Sequence, residues 1–377
     1  MVGFPDEEVR ESDFDARLAF WHDTSMTFLL PRSPTGHALR VAVAASLCLV
    51  LADWFRLEHG SQAVLTAHMV MAQHPYTVYQ KGIERIIGRG GGILCALIIL
   101  TLGANAPVLA FVLKLLALLV FFYVYFSGRL AYTFLSAGLY LSAIVEVGYA
   151  NPAAAIPVGK ELFLAIVIGV LVADGVMWLT SAEHDLHIHL EGQPLLPLRG
   201  DFLNHSLMLV VTVALSQLAT RLLDLPTGPA LVSVTTLTIV PDLQALLRKG
   251  HLRIAGVVLA AAWGFGAFLL LNYLPHFLLL LALLWLGMFV AAYITRVAGE
   301  HSYAGLQMGL VLPMILVVPP SQFSNLTPAV QRLEGIAAAL LASVLVGGLW
   351  ASFSRERPVT QPAQVSPAPD TAGTAQR

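Results

Sequence analysis

Charge is what this sequence has least of. Its 377 residues include 21 Lys+Arg and 23 Asp+Glu, so that only 12% are charged, about half the share expected of a soluble domain. That scarcity excludes an ordinary soluble enzyme, a disordered chain and a nucleic-acid binder with a basic face. Cysteine is nearly absent. Cys48 and Cys95 both lie in apolar runs, which excludes a disulfide framework and a cysteine-ligated metal site. No nucleophile–base pair, metal-ligand set or phosphate-binding loop stands out, so neither an enzyme nor a cofactor is expected. A basic stretch followed by an apolar core and a small-residue cleavage site is also missing, and no secretory signal peptide is expected.

What is present in excess is apolar length. Hydrophobic residues make up 57% of the chain, and its mean hydropathy is +0.75. Apolar segments fall near 37–55, 60–73, 86–104, 107–126, 130–147 and 158–179, then near 204–223, 228–240, 254–273, 275–295, 302–319 and 333–352. Most suit a helix crossing a bilayer, where the helix satisfies its own backbone hydrogen bonds. Segments 60–73 and 228–240 are too short, since 13 or 14 residues reach only about 20 Å of a roughly 30 Å hydrocarbon core.

The two sets repeat. His37, Gly60, Lys81, Pro107 and Tyr125 recur 168 positions later as His205, Gly228, Lys249, Pro275 and Tyr293. The densest match aligns Lys81-Gly82-Ile83-Glu84-Arg85-Ile86-Ile87-Gly88 with Lys249-Gly250-His251-Leu252-Arg253-Ile254-Ala255-Gly256, and the offset drifts to 172 at Trp178 and Trp350. Six crossings per unit keep the halves parallel. The expected fold is therefore all-α, with about twelve transmembrane helices in two parallel six-helix repeats. A cytoplasmic N-terminal segment (1–36), with an interfacial amphipathic helix as one reading of it, precedes the first repeat (37–179). A cytoplasmic linker (180–203) leads to the second repeat (204–352) and a disordered cytoplasmic tail (353–377). With the termini inside, sixteen of the 21 cations fall on the cytoplasmic side, as the positive-inside rule requires.

Short or broken apolar segments at matching places in two repeats mark a transporter's binding site. Here each runs from polar side chains, Gln62, Thr66, His68 and Gln73 or Ser233, Thr235, Thr236 and Thr238, into Pro75 or Pro241. A helix then opens beside Lys81 and Arg85, or Lys249 and Arg253, where its positive dipole end favours carboxylates. Substrate-binding candidates are thus Lys81, Arg85, Arg89, Lys249, Arg253, His68, Gln73 and Thr236, with Trp263 as a cavity-lining candidate. The run Gly88-Arg89-Gly90-Gly91-Gly92 admits close approach of a second helix or a ligand. Ionisable groups within spans are costly and mark function by default. Asp174, Glu146 and His68 are accordingly the proton-coupling candidates, the alternative for Glu146 and for Lys114 being a buried ion pair. The His-rich stretch 183–191 reads as hydrated linker rather than a metal site.

His37-Ala38-Leu39-Arg40, the polar short segment, and the proline followed by KGxxRIxG resemble the fusaric acid resistance and aromatic acid exporter family of bacterial inner-membrane proteins. The resemblance implies export of aromatic carboxylic acids or related organic anions, driven by the proton-motive force, with a periplasmic adaptor and an outer-membrane channel as partners. Distant resemblance to plant malate-passing channels keeps a passive organic-anion channel open. A non-transporting membrane scaffold is the third reading, and a homo-oligomer is compatible with all three. Relatives with a sizeable cytoplasmic domain after a six-helix module differ from this chain, whose linker and tail are short.

Overall fold

A computed structural model describes residues 33–72, 78–128, 130–180, 200–225, 243–317 and 327–353. These residues form eleven α-helices, two 3-10 turns and no strand. In chain order the helices are α1 (Pro34–Trp54), α2 (Ser61–Met71), α3 (Val78–Leu102), α4 (Pro107–Phe126), α5 (Ala131–Ala150) and α6 (Ala155–Thr180). They continue with α7 (Gly200–Leu222), α8 (Leu243–Tyr273), α9 (Phe277–Val297), α10 (Ser302–Leu316) and α11 (Thr327–Phe353). Helices thus occur at eleven of the expected segments. The remaining one, 228–240, lies outside the described residues, as do the N-terminal segment to residue 32, linker residues 181–199 and the tail from 354.

Among the described residues, nine helices are long and apolar enough to cross a membrane. Their outer surfaces carry rows of large apolar side chains one turn apart, such as Leu94, Ile98 and Leu102 on α3 and Leu341, Leu345 and Leu349 on α11, all exposed. Their buried faces hold Arg85, Arg89, Lys114 and Arg253. Apolar outside and charged inside inverts the soluble arrangement, and this is a multi-pass membrane protein. The two helices outside that set are α2 and α10. Eleven residues make α2 about 16 Å long, and fifteen make α10, with Pro313 inside it, about 22 Å long. The segment expected at 302–319 is therefore also short of a full crossing.

Local chemistry sets the helix ends. Ser33 accepts from the Gly36 N–H at 3.1 Å, and Pro34 occupies the first turn, where its missing N–H costs nothing. At the other end of α1, Arg56 takes φ 53° and the Leu57 N–H bonds the Ala52 carbonyl at 2.9 Å. The end of α7 repeats this turn 168 residues later. Asp224 takes φ 53° and the Leu225 N–H bonds the Thr220 carbonyl at 2.7 Å, so both helices close with a left-handed cap.

Helix neighbours correspond as well. In the first half α5 packs on α3 and α4, and α6 packs on α1, α2 and α3; in the second, α10 packs on α8 and α9, and α11 packs on α7 and α8. Across the halves, α9 packs on α1, α4 on α7, and α10 on α2. Glycine enables the closest of these approaches. A Cβ at Gly88 or Gly92 would lie 2.2 Å from the Thr133 carbonyl oxygen or 2.3 Å from that of Ala137, so the glycine run serves α3–α5 packing. Gly256 meets the Ala304 carbonyl oxygen at 2.4 Å in the same way, bringing α8 onto α10.

The dipole expectation needs one correction. Of the KGxxR basics only Lys81 lies in the first turn of its helix. Helix α3 opens at Val78, so Arg85 lies in its third turn. Helix α8 opens at Leu243, so Lys249 and Arg253 lie well inside it. A helix dipole acts within about the first turn, so burial and neighbours, not the macrodipole, set the field at both arginines.

Candidate functional site

Four residues separate Arg85 from Arg89, placing them one above the other on one face of α3, about 6 Å apart along its axis. That face turns inward, and Arg85 and Arg89 are only 2% and 5% exposed. Arg89 donates to Thr66 Oγ1 on α2 at 3.0 Å, and its guanidinium lies 4.3 Å from the ring centroid of Tyr140 on α5. The Tyr140 hydroxyl donates to Gln62 Oε1 on α2 at 3.0 Å. Arg85 donates to the Tyr132 hydroxyl, with its guanidinium 5.9 Å from that ring. Two arginines are thus each set against a tyrosine of α5, with the polar face of α2 opposite.

A buried cation without a counter-charge is costly. Among the described residues neither arginine forms an ion pair, and the Nε of each is buried with no hydrogen-bond partner. A carboxylate stands one turn along α3. Asp174 on α6 is seated against Gly82, its oxygens 3.2 and 3.5 Å from the place a Cβ would take, and its Oδ1 is buried and unpartnered. Lys81 is partly exposed on the same helix.

His68 closes the site toward the other half. Its Nε2 lies 3.3 Å from the Leu306 carbonyl oxygen on α10; a carbonyl only accepts, so Nε2 carries the proton and donates. Its ring fills the space left by Gly309, and Nδ1 is buried without a partner. On α10, Gln307 is buried with Oε1 unpartnered and its Cβ against Gly256 of α8.

The structure therefore brings together His68, Arg85, Arg89 and, at its edge, Asp174. Of the other described candidates, Arg253, Lys249, Trp263 and Glu146 lie elsewhere. Arg253 is fully buried against Tyr303, and Lys249 lies 5.5 Å from the same ring. Trp263 lines no part of the site: its Nε1 donates to the Leu283 carbonyl at 3.2 Å and its indole packs against Gly287. Glu146 stands four residues from the end of α5, whereas Asp174 lies nineteen residues into the following α6, about 29 Å along that helix. Glu146 accepts from Lys114 at 3.3 Å, from Arg221 at 3.1 Å and from the Gln217 amide, and Lys114 also donates to Gln217. This is an ion-paired knot joining α4, α5 and α7. Gln73 and Thr236 lie outside the described residues.

Tyr132 and Tyr140 complete the site without having been candidates. Tyrosines near span ends suggest interface anchors, yet Tyr132 and Tyr303 stand 171 residues apart and each meets the arginine of its KGxxR motif. Extending the repeat comparison past the motif finds them.

Residues 47–176 match the family model described as fusaric acid resistance protein-like. The matched stretch covers about a third of the chain. It contains α2 through α5, both inward arginines, both site tyrosines, His68 and Asp174. The matched residues thus hold every site group except those that α10 contributes. No curated protein and no solved structure matches the chain.

Proposed function

We propose that the protein is a bacterial inner-membrane exporter of aromatic carboxylic acids or related organic anions, driven by the proton-motive force. In this reading it consists of two parallel six-helix repeats with both termini cytoplasmic. The observation that carries the substrate reading is the pair of buried guanidiniums with no acidic partner among the described residues. A carboxylate supplies the missing charge, and an aromatic ring fits beside Tyr132 and Tyr140. The twin caps at Arg56 and Asp224, the corresponding helix neighbours and the KGxxR–Tyr pairs support the repeat.

Lys81 and Lys249, toward the cytoplasmic ends of their helices, draw the anion in, and Arg85 and Arg89 hold it. Outward movement of an anion from a negative interior gains about 2.3 kcal/mol per charge for each 100 mV. Asp174 and His68 are the coupling groups: a charged Asp174 beside Gly82 competes with the substrate for Arg85, and a neutral one does not. Glu146, held by Lys114 and Arg221, takes no part in this step.

Counterflow in proteoliposomes, using aromatic and aliphatic acids with the pH gradient and the potential imposed separately, tests the reading. Accumulation of a labelled aromatic acid is expected, and it should be abolished in Arg85→Ala. Currents that reverse at the anion equilibrium potential and ignore both gradients would make it a channel instead. No movement of any acid, at normal protein incorporation, would end the transport reading.

A further inference from the structure

The contacts that fix the register between the halves also show where they differ. Gly88 meets the Thr133 carbonyl oxygen as Gly256 meets that of Ala304, so α8 follows α3 by 168 residues and α10 follows α5 by 171. By that register Arg89 corresponds to Val257 and Tyr140 to Val311, both buried in the apolar core, while Asp174, with the 172 offset of the last span, corresponds to Val346. The second half keeps one arginine, Arg253, on its tyrosine and has apolar side chains where the first half has its second cation and second ring.

We propose that the protein has a single anion site, lying in the first half at Arg85 and Arg89 between α2, α3 and α5, and that it takes an organic acid carrying two anionic groups. The proposal rests on the organic-anion reading above and narrows it. One carboxylate is matched in charge and geometry by one guanidinium, which it meets through two parallel hydrogen bonds. Two arginines stand here one helical turn apart on α3, both buried and each with an unpartnered Nε, and Asp174 pairs with neither. A monoanion would leave the second guanidinium uncompensated in a medium where that is expensive. Two anionic groups on one ligand satisfy both. Arg253 and Lys249, gathered on Tyr303, then support α8 against α10 and do not form a second site.

Isothermal titration calorimetry on the full chain in nanodiscs tests this with three probes: benzene-1,4-dicarboxylate, benzoate and butanedioate. The expected result is one benzene-1,4-dicarboxylate per chain, bound at least tenfold more tightly than benzoate. In Arg89→Gln that preference should fall to threefold or less. Arg253→Gln should leave the ratio of the two affinities unchanged. Equal binding of benzoate and the aromatic diacid by the unmodified protein would overturn the proposal while leaving the aromatic-acid reading standing. Two diacids per chain, or loss of the preference in Arg253→Gln, would overturn it as well. If butanedioate binds once per chain and neither aromatic acid binds, the two-anion site stands and the aromatic reading falls. The comparison of acids on the unmodified chain does not depend on whether either variant folds.

Discussion

Replacing Glu146 with alanine tests the energetics of the ionic knot most directly. Lys114 has no exposed side-chain surface, and Glu146 is 14% exposed. Removing the carboxylate leaves the ammonium buried, with Gln217 as its remaining acceptor, and breaking a buried pair from one side costs about 3–5 kcal/mol. Slight exposure of Glu146 favours the lower end. The contact to Arg221 adds little, because that side chain is 47% exposed and such pairs contribute about 0–1 kcal/mol. Lys114→Met is the milder change: Glu146 keeps Arg221 and Gln217, and the loss is about 1–2 kcal/mol for the acceptor left without its donor. The double variant should be more stable than the sum of the two single losses by about 2 kcal/mol, since no buried ammonium then remains to be stranded. Replacing all three, as Lys114→Met, Glu146→Leu and Gln217→Leu, should return stability to within about 1 kcal/mol of the parent. Equilibrium denaturation in one detergent, followed by tryptophan fluorescence, measures each difference. A loss below about 1 kcal/mol for Glu146→Ala, or additivity within about 0.5 kcal/mol, would refute the reasoning.

Glycine positions on α3 should respond oppositely. Gly92→Ala puts a Cβ 2.3 Å from the Ala137 carbonyl oxygen and should cost about 1–3 kcal/mol by forcing α3 from α5, whereas Gly91→Ala meets nothing within 4 Å and should gain about 0.5–1 kcal/mol; thermal unfolding of the two variants compares them. Arg56→Gly should stabilise by about 0.5–1 kcal/mol by relieving the left-handed backbone at the end of α1. An unchanged or lowered melting temperature would show that the side chain of Arg56 contributes more than its backbone strain costs.

The long apolar runs, the short second segment and the duplicated KGxxR were all legible in the sequence, because hydrophobic length and spacing are properties of the chain itself. The grouping of His68, Arg85 and Arg89 was legible only as separate candidates. Arg85 and Arg89 share a helix face by their spacing, but that this face meets α2 and α5 depends on Gly88 and Gly92, whose partners are backbone carbonyls with no sequence signature. Helix starts were misplaced at the basics because polar residues interrupt the apolar pattern there, while the helix itself runs on through them. Trp263, read as lining a cavity because glycines flank it, donates to a neighbouring backbone and fills the gap beside Gly287. Lys114 and Glu146 show the converse: each is an isolated charge in its own span, and only the packing of α4, α5 and α7 reveals them as partners.

The contact of His68 with α10 has a mechanical meaning. The imidazole occupies the volume of a side chain that Gly309 does not have, and it is tied to the Leu306 carbonyl of the same helix. It acts as a peg from one half set in a notch of the other. Any motion that separates α2 from α10 must draw the peg out and break that hydrogen bond. The relative position of α2 and α10 is therefore set through one side chain.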